Sequence, residues 1–398
     1  MRLEFTPEDE AFREEVAQWM RLHLGGRFAP LRHRGGAGDD DALVPLRKEW
    51  ERELSAGRWT CVAWPQEWGG RGLTIERQLL FHEEYARAGA PGRIGHIGEG
   101  LIGPTLLALG TEAQKARFLP AIAAGTAYWC QGYSEPGAGS DLANVQTRAV
   151  PEPDGGGWRI HGQKVWTSWA RESDWIFVLA RSEPGSTGQR GLSLLLLPLA
   201  QPGIEIRPIR QITGGAEFNE IFFDGARAAA GDVVGRPGEG WAAAMALLGF
   251  ERGASTLGQQ MQFAGELALV IRAAKANGAA QDPHLRGRIA QAWSGLRVMR
   301  YNALRMLSGP QDGSLRPEAM IYKYYWSNWH RDLGKLALDV LGIEGDVRSD
   351  DPVRSRLQHM ALYARADTIY AGSNEIQLNL IAERALGMPR ARRPTASG

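Results

Sequence analysis

The chain reads as an α+β protein of several domains, with an all-helical N-terminal part, a small β-barrel or sandwich in the middle and a C-terminal four-helix bundle. Three observations predict this. Up to about Gly125 apolar residues recur at three- and four-residue spacing, the mark of helices that bury one face. Between about residues 126 and 235 the texture changes to short runs rich in β-branched and aromatic residues, each bounded by Gly, Pro or Asp. Helical patterning then resumes and runs to about Arg384. With 398 residues the chain is too long for one small core. The expected divisions are 1–125, 126–235 and 236–388, followed by a tail, 389–398.

In "MRLEFTPEDEAFREEV" Thr6 is placed to cap a helix, Pro7 suits its first position, and Glu8, Asp9 and Glu10 favour the positive end of its dipole. The stretch lacks the basic-then-apolar order of a secretory signal. "AFREEVAQWMRLHL" and "GPTLLALGTEAQKARFLPAI" are amphipathic helices, and the Gly/Asp-rich "RGGAGDDDA" between them is expected as a surface loop. "WRIHGQKVWTSW", "DWIFVLARS", "GLSLLLLPL", "IEIRPIR" and "EFNEIFFDGA" supply the strands. The third is too short for a membrane span and is broken by Pro198, so it is expected as a buried strand. "RPGEGW" opens the second helical region, and the polar, basic "PRARRPTASG" is expected to be disordered.

Composition narrows the function. Hydrophobic content of 43% and charged content of 23% suit a soluble globular protein. With 46 basic against 45 acidic residues there is no electrostatic case for nucleic acid or a membrane surface. The two cysteines, Cys61 and Cys130, have no metal-ligand or redox spacing, so a reducing cytoplasm is the expected setting. "GEGLIG", Gly98 to Gly103, matches a dinucleotide fingerprint, but no convincing strand precedes it, so it reads as a chance match.

Two stretches carry chemistry. In "WCQGYSEPGAGSDLANVQTRA", Trp129 to Ala149, Gly137, Ala138 and Gly139 let the backbone approach a flat or anionic ligand, and Ser134, Ser140 and Asp141 add short polar groups. Taken alone, an Asx-type turn accounts for the run more readily. "GQKVWTSWA", Gly162 to Ala170, adds an aromatic at Trp166 and hydroxyls after it; in a chain with 14 tryptophans a core role is the plain alternative.

Together these stretches resemble the acyl-CoA dehydrogenase family, whose order of helices, β-insert and helical bundle is the one expected here. The resemblance extends from "GPTLLALGTEAQKARFLP" to "IAERALGMPR", and "WCQGYSEPGAGSDLA" is most similar to bacterial members of the pimeloyl-CoA and steroid-side-chain type. It implies bound FAD, with Gln131, Tyr133, Ser134, Gly139, Ser140, Trp166, Thr167 and Ser168 as contacts, Ser140 lying near the pyrophosphate or thioester. From "TIYAGSNEIQLNLIAERALG" it carries over Gly372, Ser373 and Glu375, and from "LDVLGIEGDV" it carries over Gly342 as a contact to a neighbouring subunit's flavin. The chain departs from the family's usual Gln at Glu375 and Asp339, and from its usual Thr at Ser168.

The family reaction removes a proton from the carbon α to a thioester and a hydride from the β carbon. Such a proton is weakly acidic, so the reaction requires a carboxylate of raised pKa and hydrogen-bond donors to the thioester oxygen. Many members carry a glutamate base where this chain has Ala371. Ala371 keeps the backbone N–H that, with a ribityl hydroxyl, forms the family's donor pair. Glu251, in "LLGFERGASTLG", has Leu247, Leu248, Ala254 and Ser255 as helical neighbours, and burial on that stripe raises a carboxyl above its usual ~4.3. The plain alternative is an ion pair with Arg252 or another cation. Some family members take their base from a Glu-Arg pair early in this helix, which Glu251–Arg252 matches. The resemblance therefore implies Glu251 as base and Ser140, Arg252, Ala371 and Gly372 as substrate contacts. The expected reaction is α,β-dehydrogenation of an acyl-CoA to the 2-enoyl-CoA, with hydride passing to flavin N5. Electron-transfer flavoprotein is the expected acceptor and a homotetramer or homodimer the expected assembly, a heterotetramer being possible. The alternatives are the same fold with oxidase, desulfinase or N-oxygenase chemistry, or a non-catalytic subunit of a heteromeric dehydrogenase.

Overall fold

A computed structural model describes the main chain of residues 5–36, 38–251, 255–307 and 317–390. These form two compact units, one from Thr6 to Gln259 and the other from Gln260 onward together with Phe5.

The first unit opens with α1 (Pro7–His23). Thr6 caps it as the sequence predicts. Its hydroxyl accepts from the Asp9 N–H at 3.2 Å, and the Asp9 carboxylate accepts from the Thr6 N–H at 3.3 Å, a reciprocal capping box. The helices α2 (Val44–Ala56), α3 (Ile75–Arg87), α4 (Gly103–Leu109) and α5 (Glu112–Ala123) follow. The chance-match reading of "GEGLIG" holds: Gly98–Ile102 is a single π-turn that leads into α4.

The Gly/Asp-rich connector lies mostly at the surface, as expected, and is tied down to α2. Arg47 of α2 is buried, and its guanidinium donates to the carbonyls of Asp40 (2.5 Å) and Gly92 (2.9 Å). A buried guanidinium requires acceptors, and the connector supplies one of these two through Asp40. At its far end the Asp41 carboxylate accepts from the Ala216 N–H at 3.0 Å.

The strands are β1 (Trp129–Gly132), β2 (Arg148–Pro151), β3 (Gly157–Ser168), β4 (Trp175–Arg181), β5 (Leu192–Pro198), β6 (Ile204–Pro208), β7 (Phe218–Ala229) and β8 (Val233–Val234). They form one sheet in the order β6-β7-β3-β2-β4-β5-β8, with β1 pairing parallel to β4. β5 shows why a strand can run apolar from Leu194 to Leu197. Leu194 and Leu196 pack on one face with Phe177 and Leu179, while Leu195 and Leu197 pack on the other with Ile176, Val178 and Ile221. Both faces are covered, so no polar alternation survives. α6 (Gly240–Glu251) covers the first face, burying Ala243, Ala244 and Leu247.

The second unit is helical. It comprises α7 (Ser255–Ala276) from Gln260, α8 (Pro283–Leu307), α9 (Pro317–Leu341), α10 (Pro352–Tyr363) and α11 (Asn374–Leu380). α9 packs against α8, α10 and α11, and Leu267, Val270, Ala274, Leu333, Ala337 and Leu357 are buried together. The tail expected to be disordered lies, from residue 391, outside the described residues. Among the described residues no helix is long and apolar enough to cross a membrane, and no His, Cys, Asp and Glu group is arranged to hold a metal ion.

Candidate active site

β1 ends at Gly132 and the chain enters the loop that the sequence marks for a ligand. A buried ion pair fixes this loop. Lys164 of β3 is fully buried, and its ammonium donates to the carbonyl of Tyr133 (2.9 Å), the carboxylate of Glu135 (2.8 Å) and the carbonyl of Leu179 (2.7 Å). Glu135 in turn accepts from the N–H groups of Gln146 (2.6 Å) and Thr147 (2.9 Å), closing the loop's far end. Burial pulls the Lys164 pKa down to about 8, so it stays mostly charged at neutral pH. Burial pushes Glu135 up, but the Lys164 ammonium overrides it and holds the carboxyl below its ordinary range. With its ends fixed, the loop presents Gly137, Gly139 and Ser140 outward; a Cβ added at either glycine meets nothing within 4 Å.

Beside this loop β3 breaks step. Its pairing with β7 shifts register between Lys164 and Thr167, a bulge that re-aims the side chains within it. Trp166 takes a left-handed φ of 61° and is 60% exposed, its ring edge-on to Phe218. Ser168 is half-buried, and Thr167 is enclosed with its hydroxyl lacking a hydrogen-bond partner among the described residues. The Val165 N–H donates to the Ser134 carbonyl at 2.9 Å, tying the bulge to the loop. Gln131, Tyr133, Ser134, Gly139, Ser140, Trp166 and Ser168 thus share one neighbourhood of the first unit.

In the second unit the chain from Asp367 to Gln377 carries the further contacts that the resemblance implies. Ala371 is exposed with φ 51°, and Gly372 follows at φ 86°, where glycine is required. Gln377 donates to the Ala371 carbonyl at 3.2 Å. Ser373 caps α11, and Glu375 is exposed in its first turn. The carboxylate of Glu375 accepts from its own N–H and from Ser373, which holds its pKa below the usual range.

Glu251 is the last residue of α6, one turn after the buried Leu247; its side chain and Arg252 lie outside the described residues. Gly342 is not near Ala371–Glu375 within this chain. The latter segment packs on Lys323, Ser327 and His330, while Gly342 follows α9 twelve residues beyond His330, about 18 Å along the axis. Its φ of 61° and open surroundings suit the contact to a neighbouring subunit that the sequence implies. Sequence reasoning missed Lys164, Glu135, and the buried cluster of His330, Asp367 and Glu266. The available signal was a lone charged residue at an apolar-phase position.

Family models of the acyl-CoA dehydrogenase N-terminal, middle and C-terminal domains match residues 6–126, 130–226 and 238–386. The chain belongs to the acyl-CoA dehydrogenase family. Among curated relatives, acyl-CoA dehydrogenase IpdE1 of Mycobacterium tuberculosis is 54% identical over 384 residues, covering 96% of this chain and 98% of the relative. Among solved structures, the Tcur3481-Tcur3483 steroid ACAD superposes with TM-score 0.86 at 28% identity over 98% of this chain and 100% of that one. The ChsE4-ChsE5 complex from M. tuberculosis gives 0.82 at 29%, over 98% and 100%. As an acyl-CoA dehydrogenase the chain is an FAD-dependent oxidoreductase. Its own residues fit that cofactor: an exposed indole on a bulge offers a flat face to a flat ring, and an open glycine loop with serine hydroxyls beside it suits a phosphate-bearing ligand.

Proposed function

We propose that the protein dehydrogenates an acyl-CoA thioester at its α,β-bond, giving the 2-enoyl-CoA, and that the acyl group is bulky and ring-bearing. The observation that carries the reading is Ala371, a left-handed, exposed residue that keeps its backbone N–H and has no carboxylate. FAD, when bound, supplies the hydride acceptor; Gln131, Tyr133, Ser134, Gly139, Ser140, Trp166 and Ser168 would hold it, with Gly372, Ser373 and Glu375.

The protein's part is to acidify and remove the α-proton. The Ala371 N–H donates to the thioester oxygen and stabilises the negative charge that develops there as the C–H bond breaks. The proton passes to Glu251, which closes α6 one turn after the buried Leu247. Arg252 and Ser140 bind the CoA portion. The description of one solved relative as a steroid enzyme supports a polycyclic acyl group. Two solved relatives are named as pairs of chains, which supports a second, sister chain in the assembly. Electron-transfer flavoprotein is the proposed acceptor.

Two experiments test this. Anaerobic titration with straight-chain, branched and steroid-derived acyl-CoA thioesters should bleach the flavin band, with the ring-bearing members most effective; no bleaching by any thioester would refute the reaction. Glu251→Gln should slow flavin reduction roughly 10²-fold to 10⁴-fold in stopped flow, the usual effect of a lost general base. Adding Ala371→Glu should restore part of it. A wild-type rate in Glu251→Gln would remove that residue from the mechanism.

A further inference from the structure

One face of α9 is polar where a buried helix face is ordinarily apolar. Lys323, Ser327 and His330 stand at four- and three-residue spacing, so they share a face. All three are buried, at 8%, 0% and 2% exposure, and all three reach the segment that brackets Ala371. The Lys323 ammonium donates to the Asp367 carbonyl, and Ser327 Oγ donates to Asn374 Oδ1 at 3.0 Å. The imidazole of His330 lies between two carboxylates, with Nδ1–H donating to Asp367 Oδ2 at 2.5 Å and Nε2–H to Glu266 Oε2 at 2.8 Å. Asp367 passes the restraint on, because its other oxygen accepts from the Tyr370 hydroxyl at 2.8 Å. Tyr370 is the residue before Ala371.

That restraint has something to resist. A left-handed conformation is unfavourable at a residue with a Cβ, and it persists only where the surroundings over-determine it. Ala371 at φ 51° is such a residue, anchored on one side through Tyr370 and Asp367 and on the other through Asn374 and Gln377. A buried ionic cluster is a poor way to gain stability alone, since apolar residues of similar volume often do as well or better. It does fix a unique geometry.

We propose that His330 is a positioning residue for the reaction: held between Glu266 and Asp367, it fixes Asp367 and Tyr370 and so aims the Ala371 N–H at the acyl carbonyl. The inference rests on the reading of Ala371 as a thioester donor. Only a protonated imidazole can donate to both carboxylates at once, from opposite ring edges. Burial alone would strip that proton, but Glu266 and the Asp367 hydrogen bond override it and raise the pKa to about 10.

The test uses FAD-loaded enzyme and the best acyl-CoA from the titration above, labelled with ¹³C at the thioester carbonyl. Infrared difference spectra of the bound thioester read carbonyl polarisation directly. In the wild type the stretch should fall relative to free thioester. His330→Gln, which can serve only one carboxylate, should lose much of that shift and reduce flavin roughly ten- to hundredfold more slowly, the cost of a small misplacement. FAD content and acyl-CoA affinity should be unchanged. Tyr370→Phe, which removes one hydroxyl, should move both readouts the same way by less, and it carries the comparison if His330→Gln does not fold. Wild-type shift and rate in the variants would overturn the proposal while leaving Ala371 in its role. Loss of shift only in step with lost FAD and lost stability would overturn it in favour of a purely structural role. An unshifted carbonyl in the wild type would instead remove the Ala371 reading itself.

Discussion

Lys164 shows how one residue decides the shape of a ligand loop. Its buried charge is met by two backbone carbonyls and one carboxylate partner. Breaking a buried pair by removing one partner typically costs about 3–5 kcal/mol, because the other is left uncompensated. Lys164→Met should therefore destabilise the protein by about 3 kcal/mol in urea unfolding, and the double variant with Glu135→Gln should lose less than the sum of the two single changes. Additive losses would mean that the pair does not act as a unit. This residue was not legible beforehand. A single lysine inside "GQKVWTSWA" looks the same whether its amine reaches solvent or the core, and the acceptors that settle the matter are 29 and 15 residues away. The loop at Gly137 and Gly139 was legible, because a glycine run favours an open turn over a helix or strand.

At the scale of elements, β5 was predictable and the bulge in β3 was not. An unbroken apolar run between turn residues admits one reading once both faces are covered. By contrast, strand periodicity assumes a fixed two-residue repeat, and the register shift at Lys164–Thr167 breaks that repeat with no sequence mark of its own. The bulge turns Trp166 outward, so Trp166→Ala should leave stability nearly unchanged while weakening FAD binding about tenfold, equivalent to about 1.4 kcal/mol of lost ring contact. Flavin-fluorescence titration of the apoprotein measures this, and an unchanged affinity would remove the indole from the cofactor site. α9 makes a second prediction. His330 has a folded pKa of about 10 against an ordinary 6.5, so the folded state holds an extra proton between those values. The stability this contributes is fully present below about pH 6.5 and is lost as pH rises through about 10, on the order of 5 kcal/mol by linkage. Urea midpoints should fall from pH 7 to pH 9.5 in the wild type and fall less in His330→Gln. Parallel slopes would show that the imidazolium contributes nothing to the decline.

For the whole molecule, the two cysteines report on both faces of the sheet. Cys61 lies in the cluster that contains Trp64, Phe177 and Leu194, and Cys130 in the one that contains Ile176, Leu195 and Ile221. Burial pushes both thiols above their ordinary range, so neither forms the thiolate that reacts with an alkylating reagent. Native holoenzyme at neutral pH should take up no iodoacetamide and the urea-unfolded chain two equivalents, because neither cysteine is in a disulfide. Stripping the FAD separates folding from loading. The candidate cofactor contacts in the first unit sit on a loop anchored by Lys164 and Glu135 and on a bulge between paired strands, all of which the polypeptide builds from its own groups. The stripped protein should therefore keep both thiols unreactive. It should melt at a lower temperature than the holoenzyme, and FAD at a hundred times its dissociation constant should restore about 2.7 kcal/mol by mass action. Rapid labelling of Cys61 or Cys130 in the stripped protein would show instead that the cofactor is part of the core, and that the loop and bulge depend on it for their geometry.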